Sequence, residues 1–97
     1  MTEFIGDIMK GVDIDACVVD TSNPIITKTG YLGQTVRTHV VKLQGGIFLR
    51  LWDKQIALVN EGDYVRIRNG FVSIDHAQGI QHLNIGRHTT MEVEHTQ

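Results

Sequence analysis

Apolar and polar residues alternate over Val12-Asp13-Ile14-Asp15-Ala16, the two-residue period of a half-buried strand, and the pattern runs on to Val19. Asp20-Thr21-Ser22-Asn23-Pro24 is dense in turn formers, and Thr27-Lys28-Thr29-Gly30-Tyr31-Leu32-Gly33 adds a second flexible stretch. Together they predict a long loop with a short extension of the flanking strands. Gln34 to Lys42 is rich in β-branched residues and predicts a second strand, followed by a Gly45-Gly46 hairpin turn. The third strand, Ile47-Phe48-Leu49-Arg50-Leu51-Trp52, sorts its side chains into two sets. Ile47, Leu49 and Leu51 form an aliphatic face, whereas Phe48, Arg50 and Trp52 form a face of two aromatics around a guanidinium.

Beyond Trp52, Asp53 is placed as the N-cap of a short helical turn through Val59, with Gly62 ending it and Ile56 and Val59 plugging the base of the domain. Tyr64-Val65-Arg66-Ile67-Arg68 alternates again as strand four, with Val65 and Ile67 inward. Phe71 to Ile74, a polar loop through Gly79, and Ile80 to Ile85 supply the last strand or hairpin, which Gly86-Arg87 breaks. The predicted fold is all-β: a five-stranded Greek-key OB-fold barrel with a short helix between strands three and four. It occupies the 97 residues as one domain, with a core from about residue 5 to 90 and a short polar C-terminal end.

Composition narrows the chemistry. Apolar content of 41% and charged content of 21% suit an ordered globular protein. No apolar run is long enough to span a bilayer and no basic-then-apolar leader opens the sequence, so a soluble, intracellular protein is expected. The lone Cys17, between Ala16 and Val18, excludes an internal disulfide and any cysteine-based zinc site, and is read as a small core residue. Net charge is −2, but the distribution is uneven. Acids cluster early (Glu3, Asp7, Asp13, Asp15, Asp20) and late (Glu92, Glu94), while Lys28, Arg37, Lys42, Arg50 and Lys54 make the middle locally cationic.

The ordered words of the chain carry a resemblance. They are Asp7-Ile8 with Gly11, Thr27-Lys28-Thr29, Val36-Arg37-Thr38, Leu51-Trp52-Asp53, Glu61-Gly62-Asp63, Asn69-Gly70-Phe71 and Gly86-Arg87. From Ile5 to Arg87 the chain resembles the simple single-OB-fold single-stranded-DNA-binding proteins of archaea and the B subunits of the eukaryotic sensor of single-stranded DNA complex. The resemblance implies DNA repair or replication, in the cytoplasm of a prokaryote or the nucleus of a eukaryote. It also implies base stacking on Trp52 and on Phe71, which match aromatic positions of strand three and after strand four. Two further aromatic positions of that family fall on Asp75 or His76 and on Asn84.

The residues thus point to single-stranded DNA, bound with little sequence preference. Trp52, Phe71 and Phe48 would stack bases, because every base offers a π-face. Arg50, Arg37, Lys28, Arg66 and Arg68 would contact phosphates, with Lys54 and Arg87 as further cations. Tyr31 could fold over a base, and His82, outward on the last strand, could stack or hydrogen-bond one. The histidine spacing lacks a metal-ligand pattern, and no phosphate loop or nucleophile turn is present, so no metal, cofactor or enzymatic activity is expected. Asp13 and Asp15 read as solvated carboxylates, and Asp7 and Asp63 as turn caps. Two competing readings are an OB module that docks a protein in a larger complex or self-associates, and an RNA-binding OB module.

Overall fold

A computed structural model describes residues 7–75 and 79–95. Seven strands and one short helix follow in order: β1 (Asp7–Asp20), β2 (Ile26–Thr29), β3 (Thr35–Leu43), β4 (Ile47–Trp52), a 3-10 helix (Asp53–Leu58), β5 (Tyr64–Asp75), β6 (Ile80–Asn84) and β7 (Thr90–Glu94). The protein is mostly β, as its alternating segments predict, but its described residues form seven strands where five are expected.

Five of the strands close on themselves. β1 pairs antiparallel with β3 and with β5, β3 with β4, and β5 with β6, while β4 and β6 run parallel. The sheet is therefore a closed ring in the order β1-β3-β4-β6-β5, to which β2 is added on β3 and β7 on β5. A strand at a sheet edge exposes unpaired backbone groups, and ring closure removes that exposure for the five. Inside the ring lie Ala16, Val18, Val41, Leu43, Leu49, Leu51, Val65, Ile67 and Leu83, with Val59 from the segment after the helix. Ile56 packs against this core from the helix.

β4 divides as its alternation requires. Leu49 and Leu51 are fully buried, whereas Phe48, Arg50 and Trp52 are half-buried on the outer face. The turn before it closes through a hydrogen bond from the Gly46 N–H to the Leu43 carbonyl (3.1 Å). Gly45 (φ +93°) and Gly46 (φ +83°) occupy the left-handed region, where a β-carbon would be strained.

Several boundaries differ from the sequence-based expectation. Trp52, not Asp53, is the N-cap; its N–H donates to Gln55 Oε1 (3.0 Å), and the helix ends at Leu58 with the extended Val59 as its C-cap, before Gly62. Asp53 serves β3 instead, accepting the Arg37 N–H (2.9 Å). Asp63 is 3% exposed and does cap a turn, accepting the Asn60 N–H (2.8 Å) and contacting His95 Nδ1 (2.9 Å). Cys17 is partly buried outside the core cluster, because Ala16 and Val18 take the inward phase of β1.

Phe71 to Ile74 continue β5 rather than opening a new strand. The Asn69-Gly70 pair between the two predicted segments is a bend within it. Asn69 adopts φ +62°, and its N–H is held by Asp13 Oδ1 (2.9 Å). Before the bend β5 pairs with β7, and after it with β6. The loop leading to Gly79 lies largely outside the described residues, as does His76. Among the described residues, no helix is long and apolar enough to cross a membrane.

Candidate nucleic-acid interface

The outer face of β4 is extended on both sides by register. Towards β3, Trp52 pairs with Thr38, Arg50 with Val40 and Phe48 with Lys42. Beyond β3, Ile26 of β2 pairs with Thr38 and Lys28 with Val36. Towards β6, Phe48 is in register with His82 and Arg50 with Asn84. Paired residues point to the same face of a sheet, so these side chains form one continuous surface.

That surface holds a groove of about 480 Å³ lined by Asn23, Pro24, Ile26, Lys28, Thr38, Val40, Phe48, Arg50, Ile80 and His82. Ile26, Val40, Phe48 and Ile80 give it apolar surface beside Asn23, Thr38 and His82, and the charged groups among its described lining residues are Lys28 and Arg50. The loop between β1 and β2 forms one rim and is tied down at two points. Asn23 Nδ2 donates to the Val40 carbonyl (3.1 Å), and the Asn23 carbonyl meets His39 Nε2 (2.8 Å). At the start of that loop Asp20 Oδ1 accepts the Ser22 N–H (2.8 Å), and hydrogen bonding from Ser22 lowers the Asp20 pKa below the usual carboxylate value.

Arg50 is the centre of the surface. Its guanidinium carbon lies 5.6 Å from the centroid of Trp52, within cation–π range. Its Nη2 donates to His82 Nδ1 (3.4 Å), and the His82 ring stands edge-on to Phe48 with centroids 6.4 Å apart. The arginine thus leans towards Trp52 and His82 rather than standing midway between two aromatics. His82 is outward by phase yet only 5% exposed, so it forms the groove floor beneath Phe48 and Arg50. Thr38 Oγ1 and Arg50 Nε are buried without a protein hydrogen-bond partner. Desolvated polar atoms of this kind are costly unless a ligand or water meets them.

Asn84 fills a position where stacking would call for a ring, and it is 5% exposed. Its Nδ2 donates to Ser73 Oγ (2.8 Å) and to the Phe71 carbonyl (3.4 Å), which ties β6 to β5, and to the His82 carbonyl (3.1 Å) of its own strand. Phe71 pairs with Asn84 from β5 and so shares the row Arg50-Asn84-Phe71. It lines a separate cleft of about 240 Å³ together with Lys10, Asn69, Arg87 and Thr89.

The remaining candidates lie elsewhere. Arg37 has the strand phase of His39 and Val41, opposite to that of Thr38 and Val40, and so is directed away from the groove. Tyr31 is 98% exposed in the turn between β2 and β3, next to Leu32 at 84%, and lines neither cavity. Arg66 and Arg68 stand on the wall formed by β1, β5 and β7. Arg68 makes a two-pronged contact with Asp15 (2.6 and 3.1 Å), which lowers the Asp15 pKa and raises that of Arg68. Arg66 lies 3.7 Å from Glu94 and over the Tyr64 ring at 5.4 Å. On that wall the positive charges face carboxylates.

The groove therefore unites Lys28, Phe48, Arg50 and His82, with Trp52 alongside. Thr38, Val40 and Ile26 were not among the residues singled out, although a signal for them existed. Once a tight turn fixes β3 antiparallel to β4, the outward phase of β4 sets that of β3. No protein-family model matches the chain, and no curated protein matches it.

Proposed function

We propose that the protein is a non-enzymatic, single-stranded-DNA-binding OB-fold of the simple single-domain type. The ring supports the fold reading: taken as five strands without β2 and β7, its order is that of an OB barrel, including a parallel pairing of the third and fifth strands and a helix between the third and fourth. The observation that carries the functional reading is the groove, in which Lys28, Arg50, Phe48 and His82 line one cavity with Trp52 against Arg50. Cations track the phosphates and aromatic faces stack the bases, a combination that tolerates any sequence.

Oligothymidine titration followed by Trp52 fluorescence tests this directly. Quenching at low salt that weakens with added salt, and loss of binding in Trp52→Ala, is the expected result. No quenching, together with unchanged retention of DNA by Trp52→Ala, would remove the proposal. Competition with the matched RNA reports whether the 2′-hydroxyl matters.

The exposed Tyr31 and Leu32 at the β2–β3 turn favour a second reading, a docking module for a protein partner. A chain that ignores oligonucleotides but self-associates in light scattering would support that reading.

A further inference from the structure

All of β2 is exposed, and the strand pairs with β3 on one side only. Among the described residues, no strand pairs with its other edge. The turn into β3 fixes which backbone groups that edge offers. The Gly33 N–H donates to the Gly30 carbonyl (3.0 Å) and the Gly30 N–H to the Gln34 carbonyl (2.6 Å), so Gly30 and Gln34 form a hydrogen-bonded pair. Hydrogen-bonded and open pairs alternate along an antiparallel ladder. Lys28 and Ile26 therefore bond towards β3, in register with Val36 and Thr38, while Thr27 and Thr29 turn their N–H and carbonyl groups outward. The side chains alternate between the two faces as well: Ile26 and Lys28 line the groove, and Thr27 and Thr29 take the opposite face.

A free strand edge is a template for another strand unless charge or shape defends it. β7, the other open edge, carries Glu92 and Glu94. The one charge on β2, Lys28, is directed into the groove, and Ile25, Ile26, Tyr31 and Leu32 stand exposed on the strand and its flanks.

Symmetry selects the register in which β2 fits a second copy of itself. A two-fold axis perpendicular to an antiparallel sheet sets one residue opposite its own copy. Two four-residue strands overlap most when that residue is Thr27 or Lys28. Centring on Lys28 would place two ammonium groups directly opposite each other, which destabilises a strand pair. Centring on Thr27 instead makes a threonine pair, joined through the outward N–H and carbonyl groups of both copies. It also sets Ile26 opposite Lys28 of the second copy and Ile25 opposite its Thr29. The same register carries the exposed Tyr31 of each copy level with Asn23, beside Pro24, in the other.

We propose that the protein forms a symmetric dimer by antiparallel pairing of β2 with β2 of a second copy, centred on Thr27. The dimer presents both grooves on one face of a continuous sheet, because Ile26 and Lys28 of the two copies share that face. It does not depend on what the groove binds. An interface this short suits a weak, concentration-dependent association.

Sedimentation velocity from micromolar to millimolar protein tests the contact. The wild type is expected to pass from monomer to dimer and no further, as a closed two-fold contact requires. Thr27→Lys and Thr27→Glu each set like charges across the axis and should weaken the dimer roughly three- to tenfold. An equimolar mixture of the two variants should recover it as a heterodimer, which also shows that both are folded. Glu92→Lys, on the other open edge, should dimerise as the wild type does. Amide exchange at Thr27 and Thr29 should slow as concentration rises, with Lys28, already bonded to β3, unchanged. A wild type that stays monomeric, or an open series of larger species, would overturn the proposal. So would a dimer insensitive to Thr27→Lys, a mixture that fails to recover it, or its loss in Glu92→Lys.

Discussion

Phe48 and Leu49 are neighbours in sequence and opposites in consequence. Leu49 is fully buried, with Val41 and Leu83 as its register partners in the core. Truncation to alanine removes three carbon groups, about 0.8 kcal/mol each in transfer free energy, and leaves a cavity that close-packed strands fill poorly. Leu49→Ala should therefore cost about 3–4 kcal/mol, a large part of the 5–15 kcal/mol typical of such a domain. At roughly 4–8 °C per kcal/mol, its melting temperature should fall by about 12–30 °C.

Phe48 is half-buried, and its ring meets His82 edge-on at the groove floor. Phe48→Ala should cost only about 1 kcal/mol in stability. Its loss should be felt in binding instead, since it lines the groove. Urea denaturation of the two variants, with m-values compared to confirm a common unfolded state, separates the effects. The two-faced account of β4 is refuted if Leu49→Ala costs less than about 1 kcal/mol, or if Phe48→Ala destabilises as much as Leu49→Ala.

Two further outcomes follow from local geometry. A β-carbon at Gly70 would lie 2.9 Å from Leu83 Cδ1 and 3.3 Å from Ile67 Cγ2, so Gly70→Ala should overpack the core beside the β5 bend and cost about 1–3 kcal/mol by urea denaturation. The Asp15 carboxyl is held below its ordinary value of 3.8 mainly by its hydrogen bond from Arg68. Because the folded-state pKa is depressed, the stabilisation is present above the unfolded value and is lost as pH falls through the folded one. An NMR titration should show the Asp15 midpoint rising towards 3.8 in Arg68→Ala; an unmoved midpoint would refute the pairing.

Period-two patterning made much of the ring legible. It separated Leu49 and Leu51 from Phe48, Arg50 and Trp52 without any knowledge of partners, because strand phase is a local property. Phase does not say which wall of a closed sheet a residue occupies. Arg50 and Arg66 are both outward, yet one faces Trp52 and the other faces Glu94, and only strand order separates them.

The two added strands illustrate different limits. Thr90-Met91-Glu92-Val93-Glu94 alternates plainly, with Met91 and Val93 packed on the core, so β7 could have been read from the chain. β2 is exposed at all of its residues and owes its form to pairing with β3, which leaves no pattern to read. Asn69-Gly70 carries a turn signature but serves as a bend. The same left-handed backbone suits both uses, and the pairing of β5 with β1 on either side decides between them.

The most direct measurement is a heteronuclear NMR titration with oligothymidine, following backbone amides across the whole surface. The account predicts shifts concentrated on Lys28, Thr38, Phe48, Arg50, Trp52 and His82, with Tyr64, Arg66 and Arg68 unmoved. Shifts centred on the β1–β5–β7 wall, or none at saturating oligonucleotide, would contradict it.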